Sequence, residues 1–326
     1  MKTIIFFNNK EDQGKINLVY HFIYMLAELG HRCLAVDLNP QANLSAMLLS
    51  EEALETIYGA PNERETLMSG VKPLLSGTGD ISDVKIHEIS NNIGLLAGDL
   101  DLSFFELKLN DSWNKCLEAD EAALRVVSSF SRIIKKEAEK FEAEYCIIDV
   151  GSNFGALNNA ALLAANGVIV PMTTDLFSLQ GLSSLGTGLN IWRNQWKDRI
   201  LVNQKTPLSL PDGAMRPLGY VIMQYGINES RPLRSYLRWA NKIPAIYNEF
   251  ILGNLNAAEI KVENDPSCLA ILKHYHSLIP MAIDAGKPIF LLKPADGAIG
   301  AHFQAVLSAY EDFKLLTLKI IEKVNT

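Results

Sequence analysis

The 326-residue chain lacks the features that mark several classes of protein. No hydrophobic run approaches the ~18 residues that a membrane-spanning helix needs. The four cysteines include no Cys-x-x-Cys pair, and the six histidines form no metal-binding pattern. The first residues predict an apolar strand, which a cleavable leader peptide would not form. These absences predict a reduced, cytoplasmic protein without a metal centre built from cysteine or histidine.

Positive charge is also scarce. The chain has 30 lysines and arginines against 37 acidic residues, a net charge of −7. This balance is a poor electrostatic footprint for general DNA binding. Apolar residues make up 48% and charged residues 21% of the chain, which is ordinary for a globular protein and argues against disorder. The length suits one large α/β domain or two smaller ones.

The most informative segment lies near the start of the chain. An apolar strand, Ile4 to Phe7, is followed by a loop that ends in Gly14-Lys15 and then by a helical pattern from Leu18 to Leu29. In a P-loop, such a segment directs backbone N–H groups and the positive helix end at a phosphate, and the lysine adds a point charge. The full pattern is G-x-x-x-x-G-K-[ST], and only Gly14 and Lys15 match it.

Further motifs follow in a fixed order. A second strand runs into Asp37-Leu38-Asn39-Pro40-Gln41, a later strand, Tyr145 to Asp149, ends in an aspartate, and Val168 to Pro171 is followed by Asp175-Leu176-Phe177-Ser178-Leu179-Gln180-Gly181-Leu182. This series resembles the ParA/MinD family of P-loop ATPases, whose loop reads K-G-G-x-G-K-T-T. The resemblance covers residues 1–50 and 144–185, and Gly219 to Gln224 looks like the family's strand beside the base pocket.

Strands that alternate with helices predict an α/β fold, a mostly parallel β-sheet with helices on both faces. We expect a single domain over residues 1–326. Residues 51–90 have the weakest pattern and are expected to form a peripheral insertion of short helices and loops. Residues 92–98 should then restart the sheet, Ala122 to Phe141 should form a helix, and residues 303–326 should form a C-terminal helical extension.

The resemblance implies roles for individual residues. Lys10 falls on the family's signature lysine, which reaches the partner's nucleotide across a dimer, and Lys15 falls on the ordinary P-loop lysine. Asp37 and Asp149 fall on residues near Mg²⁺, and Asn39 on the aspartate that orients the attacking water. The implied nucleotide-binding set is Gly14, Lys15, Ile16, Asn17 and Gln224.

Several of these positions carry the wrong residue for ATP chemistry. Glu11 and Asp12 replace glycines that let the backbone wrap the phosphates. A carboxylate ~5 Å from a phosphate charge costs about 3 kcal/mol at an effective dielectric constant of 20. Ile16 replaces the hydroxyl that ligates Mg²⁺, and Asn39 lacks the charge of the aspartate it replaces.

These substitutions favour a pseudo-ATPase that uses no cofactor and acts through a partner. Three alternatives stay open: a form that binds ATP weakly without hydrolysis, an active ATPase for DNA partition or cellular positioning that uses ATP and Mg²⁺ and dimerises on ATP, and an enzyme inactivated in the laboratory. A further hypothesis places Glu11 or Asp12 in the phosphate position, paired with Lys15. The alternative is that all four loop charges are solvated.

One segment is basic despite the acidic chain. From Arg193 to Lys242 there are nine lysines and arginines against three acids, with tryptophans nearby. The candidate contact residues are Arg193, Arg231, Arg234, Arg238 and Lys242. The resemblance implies nonspecific DNA contacts here. The alternatives are contacts with an acidic protein partner and a solvated helical face with core tryptophans. Expected partners are a second copy or an active homologue, in which Lys10 could complete the other subunit's site, and, with weaker support, nucleic acid.

Overall fold

The computed structural model describes residues 1–10, 13–59, 64–223, 238–255, 260–275 and 277–326. Its centre is an eight-stranded sheet in the order β3-β4-β2-β5-β1-β6-β7-β8, in which only the edge strand β3 is antiparallel to its neighbour. The strands are β1 Lys2–Phe6, β2 Cys33–Asp37, β3 His87–Ser90, β4 Ile93–Leu96, β5 Tyr145–Asp149, β6 Gly167–Met172, β7 Arg216–Met223 and β8 Cys268–Leu272.

Helices cover both faces of this sheet, which confirms the predicted fold class. In the described part of the chain they are α1 Gln13–Glu28, α2 Asn43–Leu48, α3 Glu51–Tyr58, α4 Leu67–Ser76, α5 Leu102–Lys115, α6 Glu121–Val127, α7 Ser129–Phe141, α8 Ala156–Leu163, α9 Leu176–Val202, α10 Ile243–Ile246, α11 Leu278–Ala285 and α12 Ala301–Asn325. None of the helices in these described ranges is long and apolar enough to cross a bilayer.

The central strands are buried on both faces, as a parallel sheet requires. Strands β2 and β5 pair in parallel, and their register places Asp37 directly beside Asp149. Both aspartates end their strands, so two carboxylates meet at the carboxyl edge of the sheet. Ligands of open α/β sheets bind at this edge, and the register therefore builds the site.

On one face of the sheet, α1 packs against α12 through His21. The ring is fully buried and stacks on Phe313 at 4.9 Å. Its Nδ1 donates to the carbonyl of Asn17, and its Nε2 accepts from the N–H of Ile289, at 2.7 and 3.1 Å. Burial lowers the pKa of His21 to about 4, so the ring is neutral. It connects α1 to the C-terminal part of the chain, residues 289–313.

Two details differ from the sequence predictions. The helix expected from Ala122 to Phe141 is divided into α6 and α7, because Ser128 has a ψ of 1° and its hydroxyl donates to the carbonyl of Leu124. Within the segment expected as an insertion, residues 87–90 are strand β3, paired with β4 at the edge of the sheet. The sheet therefore resumes a few residues before the expected position.

Candidate functional site

A cavity of about 450 Å³ opens at the carboxyl edge of the sheet, beside the ends of β2 and β5. The start of α1 forms one wall, and the loops after β2 and β5 form the others. The cavity is lined by Lys15, Ile16, Asn39, Pro40, Gln41, Asn43, Asp149, Gly151, Ser152 and Asn153. Four of the predicted site residues, Lys15, Ile16, Asn39 and Asp149, thus come together here.

Lys15 points into the protein and is 5% exposed. Its Nζ donates to Oδ1 of Asp149 at 2.8 Å and to the carbonyl oxygen of Val150. The other carboxylate oxygen of Asp149, Oδ2, is buried and has no hydrogen-bond partner among the described residues. The charge of Lys15 is therefore neutralised by the aspartate that ends β5. Glu11 and Asp12 lie outside the described residues, so their pairing with Lys15 stays a prediction.

Asp37 is fully buried, and both of its oxygens are occupied. Oδ2 accepts from the N–H and the hydroxyl of Ser45 at 2.8 and 2.7 Å, and Oδ1 accepts from the N–H of Asn39 at 3.2 Å. Burial, together with the negative charge of Asp149, raises the pKa of Asp37. In this arrangement Asp37 fastens the first turn of α2 rather than facing the cavity with a free oxygen.

The cavity offers a hard cation few ligands. Ile16 presents an alkyl side chain, and Oδ1 of Asn39 accepts from the N–H of Gln41 at 3.2 Å. Oδ2 of Asp149 is the single buried carboxylate oxygen left open at this edge among the described residues. No group of three or more His, Cys, Asp or Glu residues in the described ranges is arranged to hold a metal ion. The described residues therefore offer Mg²⁺ one open carboxylate oxygen and no hydroxyl from Ile16, so the rest of its octahedral set would have to come from water and phosphate.

Lys10 is held within its own chain. Its Nζ donates to Asp175 at 2.7 Å, to Thr173 at 3.2 Å and to Ser178 at 3.3 Å. Asp175 is also the N-cap of α9, where its Oδ1 accepts from the N–H of Ser178 at 3.0 Å. Partial burial opposes ionisation, but the hydrogen bonds from Lys10 and Thr173 outweigh it and hold the pKa of Asp175 well below its usual range.

The motifs in the sequence predicted no role for Asp175, Thr173 or Ser45. The available signal was an aspartate three residues before Ser178 at the start of a helical pattern, which is typical of an N-cap. Nothing in the sequence indicated that Lys10 would reach this cap, because the two residues lie 165 positions apart.

The basic segment does not form one free patch in the described part of the chain. Arg193 donates to the carbonyls of Ala214 and Met215, and Arg216 donates to the last carbonyls of α12. Arg199 is 3% exposed, lies 4.0 Å from the centroid of the Trp113 ring and donates to that residue's carbonyl. These three guanidinium groups bind backbone carbonyls of their own chain.

Among the described residues, Lys197, Lys205, Arg238 and Lys242 of this segment remain exposed at the surface. Arg238 and Lys242 are exposed, and each lies 5.1 Å from the centroid of the Trp239 ring. Arg231 and Arg234 fall outside the described residues, as does Gln224, the predicted base-pocket residue. Their roles stay predictions.

Comparison with known proteins identifies the family. A family model described as an AAA domain matches residues 1–202. The chromosome-partitioning ATPase Soj of Treponema pallidum is 27% identical over 184 residues, which are 56% of this chain and 62% of that protein. This chain belongs to the ParA/MinD family of P-loop ATPases. The chromosome partitioning protein ParA of Caulobacter vibrioides is 25% identical over 187 residues, 57% of this chain and 61% of that protein.

Solved structures share the fold over most of the chain. An ATP complex of a substituted McdA from Cyanothece has a TM-score of 0.63 at 16% identity, covering 100% of this chain and 96% of that one. A plasmid partition protein of Borrelia burgdorferi has a TM-score of 0.56 at 15% identity, covering 98% and 99%. The chain spans about half the length of the first curated relatives that it matches.

Proposed function

We propose that this ParA-like protein is a pseudo-ATPase, which has lost hydrolysis and acts by binding a partner. The observation that carries this proposal is the contact of Lys15 with Asp149 and the carbonyl of Val150. In an active P-loop the lysine is directed at the β- and γ-phosphates of the nucleotide. Here the cation is already neutralised inside the protein.

ATP would have to draw Lys15 away from Asp149, whose side chain is fully buried. Breaking a buried ion pair without replacing the partner costs about 3–5 kcal/mol, because a buried charge is left uncompensated. A penalty of that size lowers affinity by roughly two to four orders of magnitude. A phosphate that binds Lys15 would restore a partner to the lysine, but the carboxylate of Asp149 would remain buried without one. We therefore expect ATP binding to be weak or absent.

The described part of the site also lacks the side-chain groups that ATP hydrolysis uses in active members of the family. Ile16 supplies no hydroxyl to a metal ion, the oxygens of Asp37 are held by Ser45 and Asn39, and Asn39 supplies an amide in place of a carboxylate. No step of hydrolysis can be assigned to these residues. What survives is a family scaffold, whose surface would carry the function by binding another macromolecule.

The ion pair of Lys10 also bears on partner choice. A lysine that completes the site of a second subunit must extend its side chain across the interface. Here the ammonium group of Lys10 instead donates to Asp175, Thr173 and Ser178 of its own chain. We infer that a second copy or an active homologue would have to displace Asp175 before Lys10 could act across an interface. Because the side chain of Lys10 is only half-buried, a group from a second subunit can reach it and take the place of Asp175.

The second candidate function is an active ParA-type ATPase for DNA partition or cellular positioning. Two observations favour it. Lys10, Lys15, Asp37 and Asp149 are all kept at the carboxyl edge of the sheet, and Oδ2 of Asp149 is left without a described partner. In this candidate, ATP and Mg²⁺ would reorganise the loop and release both lysines.

Restoration of the loop tests the proposal. We expect the wild-type chain to show no binding of a fluorescent ATP analogue with Mg²⁺, whereas the combined substitutions Glu11→Gly, Asp12→Gly, Ile16→Thr and Asn39→Asp should create binding. The same restored chain with Lys15→Ala is the matched control, which should lose what was gained. Tight binding or turnover of ATP by the wild-type chain would contradict the proposal and support the active ATPase.

A further inference from the structure

We infer that the outer face of α12 is a self-association surface, through which two copies of this chain pair their C-terminal helices in antiparallel orientation. The inner face of α12 packs on the sheet layer and on α1, with Phe313, Leu316 and Ile320 fully buried. Its outer face is also apolar. The exposed fractions there are 39% for Phe303, 47% for Leu307, 59% for Leu315 and 45% for Leu318.

Helical geometry places these exposed residues together. At 100° per residue, Phe303, Leu307, Leu315 and Leu318 fall within a sector of about 120°, centred away from the buried face. A helix on the surface of a soluble protein normally carries polar residues on such a face. A cluster of large apolar side chains on an exposed helix indicates an interaction surface.

Charged residues on the same face indicate which partner fits. Glu311 and Lys314 lie near the middle of the exposed face, and neither forms an ion pair with a described residue. Lys314 contacts a ring instead, 5.8 Å from the centroid of Tyr310. One unpaired acid and one unpaired base, three positions apart, make this face complementary to a reversed copy of itself.

A two-fold axis between positions 312 and 313 makes that match explicit. It places Glu311 opposite Lys314 of the second copy, and the reciprocal contact forms by symmetry. The same axis places Leu307 opposite Leu318 of the second copy. Pairs of Leu307 with Leu318 then flank a central pair of ion bridges, while Phe303 meets Glu322 of the second copy.

This surface is separate from the candidate nucleotide site, since α12 contributes no residue to the lining of the cavity. The inference therefore does not depend on whether the protein binds ATP. One helix pair buries less than the ~1,200 Å² of a standard stable interface. We expect a modest association, with a dissociation constant on the order of micromolar.

Sedimentation velocity of the full chain without nucleotide tests the inference. Between about 1 and about 100 µM, the range in which a micromolar dimer titrates, the wild-type chain should shift from monomer to dimer. Leu307→Glu should weaken the dimer at least tenfold, as two carboxylates would enter an apolar contact. The matched control is Leu201→Glu at the end of α9, an exposed leucine outside α12 with 67% exposure, which should leave the dimer unchanged.

A charge exchange gives a second test that does not depend on apolar contacts. Glu311→Lys and Lys314→Glu should each weaken the dimer, because each places like charges opposite one another. The double variant should restore it. A chain that stays monomeric throughout, a dimer insensitive to Leu307→Glu, or a double variant no tighter than the single ones would overturn the inference. Circular dichroism of each variant verifies that the fold is retained.

Discussion

Replacement of Asp175 should separate two roles that its carboxylate combines. One oxygen caps α9 through the N–H of Ser178, and the other accepts from Lys10 at 2.7 Å. Asparagine is also a good N-cap but carries no charge. Asp175→Asn should therefore remove the ion pair and keep the cap, whereas Asp175→Ala should remove both.

The expected magnitudes follow from exposure. The side chains of Lys10 and Asp175 are 35% and 23% exposed, so solvent screens the pair and its contribution is at most about 1 kcal/mol. Loss of a cap costs about 1 kcal/mol more. We expect Asp175→Asn to lower the free energy of unfolding by about 0.5–1 kcal/mol and Asp175→Ala by about 2 kcal/mol.

Urea unfolding at neutral and acidic pH would measure both effects. The pKa of Asp175 is lower in the folded than in the unfolded chain. Its contribution to the free energy of unfolding is therefore complete above the pKa of the unfolded chain and is lost as the pH falls below about 4. The gap between wild type and Asp175→Asn should therefore narrow in acid. Asp198→Asn, at an exposed position of the same helix, is the control. If Asp175→Ala were no more destabilising than this control, the assigned contacts would be wrong.

Two further predictions concern buried groups. His21 has a folded-state pKa of about 4 against 6.5 unfolded, so the unfolded chain takes up the proton first. Stability should fall by up to about 3 kcal/mol as the pH drops from 6.5 to 4, and His21→Phe should remove this loss in a pH series of urea unfolding. Arg199→Met should lower the free energy of unfolding by about 2–3 kcal/mol in the same assay, because the carbonyl of Trp113 loses its donor. Arg199→Lys should lose less, and equal losses would argue against a specific role for the guanidinium.

The fold and the location of the site were predictable because both follow from motif order and strand geometry. Parallel strands that each end in an aspartate bring their carboxylates to one edge, and the register of Asp37 with Asp149 confirms it. The direction of Lys15 was not predictable. A lysine has several rotatable bonds, and its choice between a phosphate and a carboxylate depends on charges that meet only in the folded chain.

The basic segment illustrates the same limit. A count of lysines and arginines cannot separate a guanidinium in solvent from one that binds carbonyls. Arg193, Arg199 and Arg216 are of the second kind. The exposed face of α12 shows a different limit. The amphipathic pattern of residues 303–326 predicted a helix, but only its packing shows that apolar residues remain outside after the inner face is buried.

The central claim is that the nucleotide site is closed to ATP, and calorimetric titration of the purified chain with ATP and Mg²⁺ tests it most directly. Nucleotide retained through purification should be measured on the same sample. The ion pair of Lys15 with Asp149 predicts no binding at micromolar ATP and no retained nucleotide. Micromolar binding would contradict the claim, because Lys15 would then have exchanged Asp149 for a phosphate at little cost.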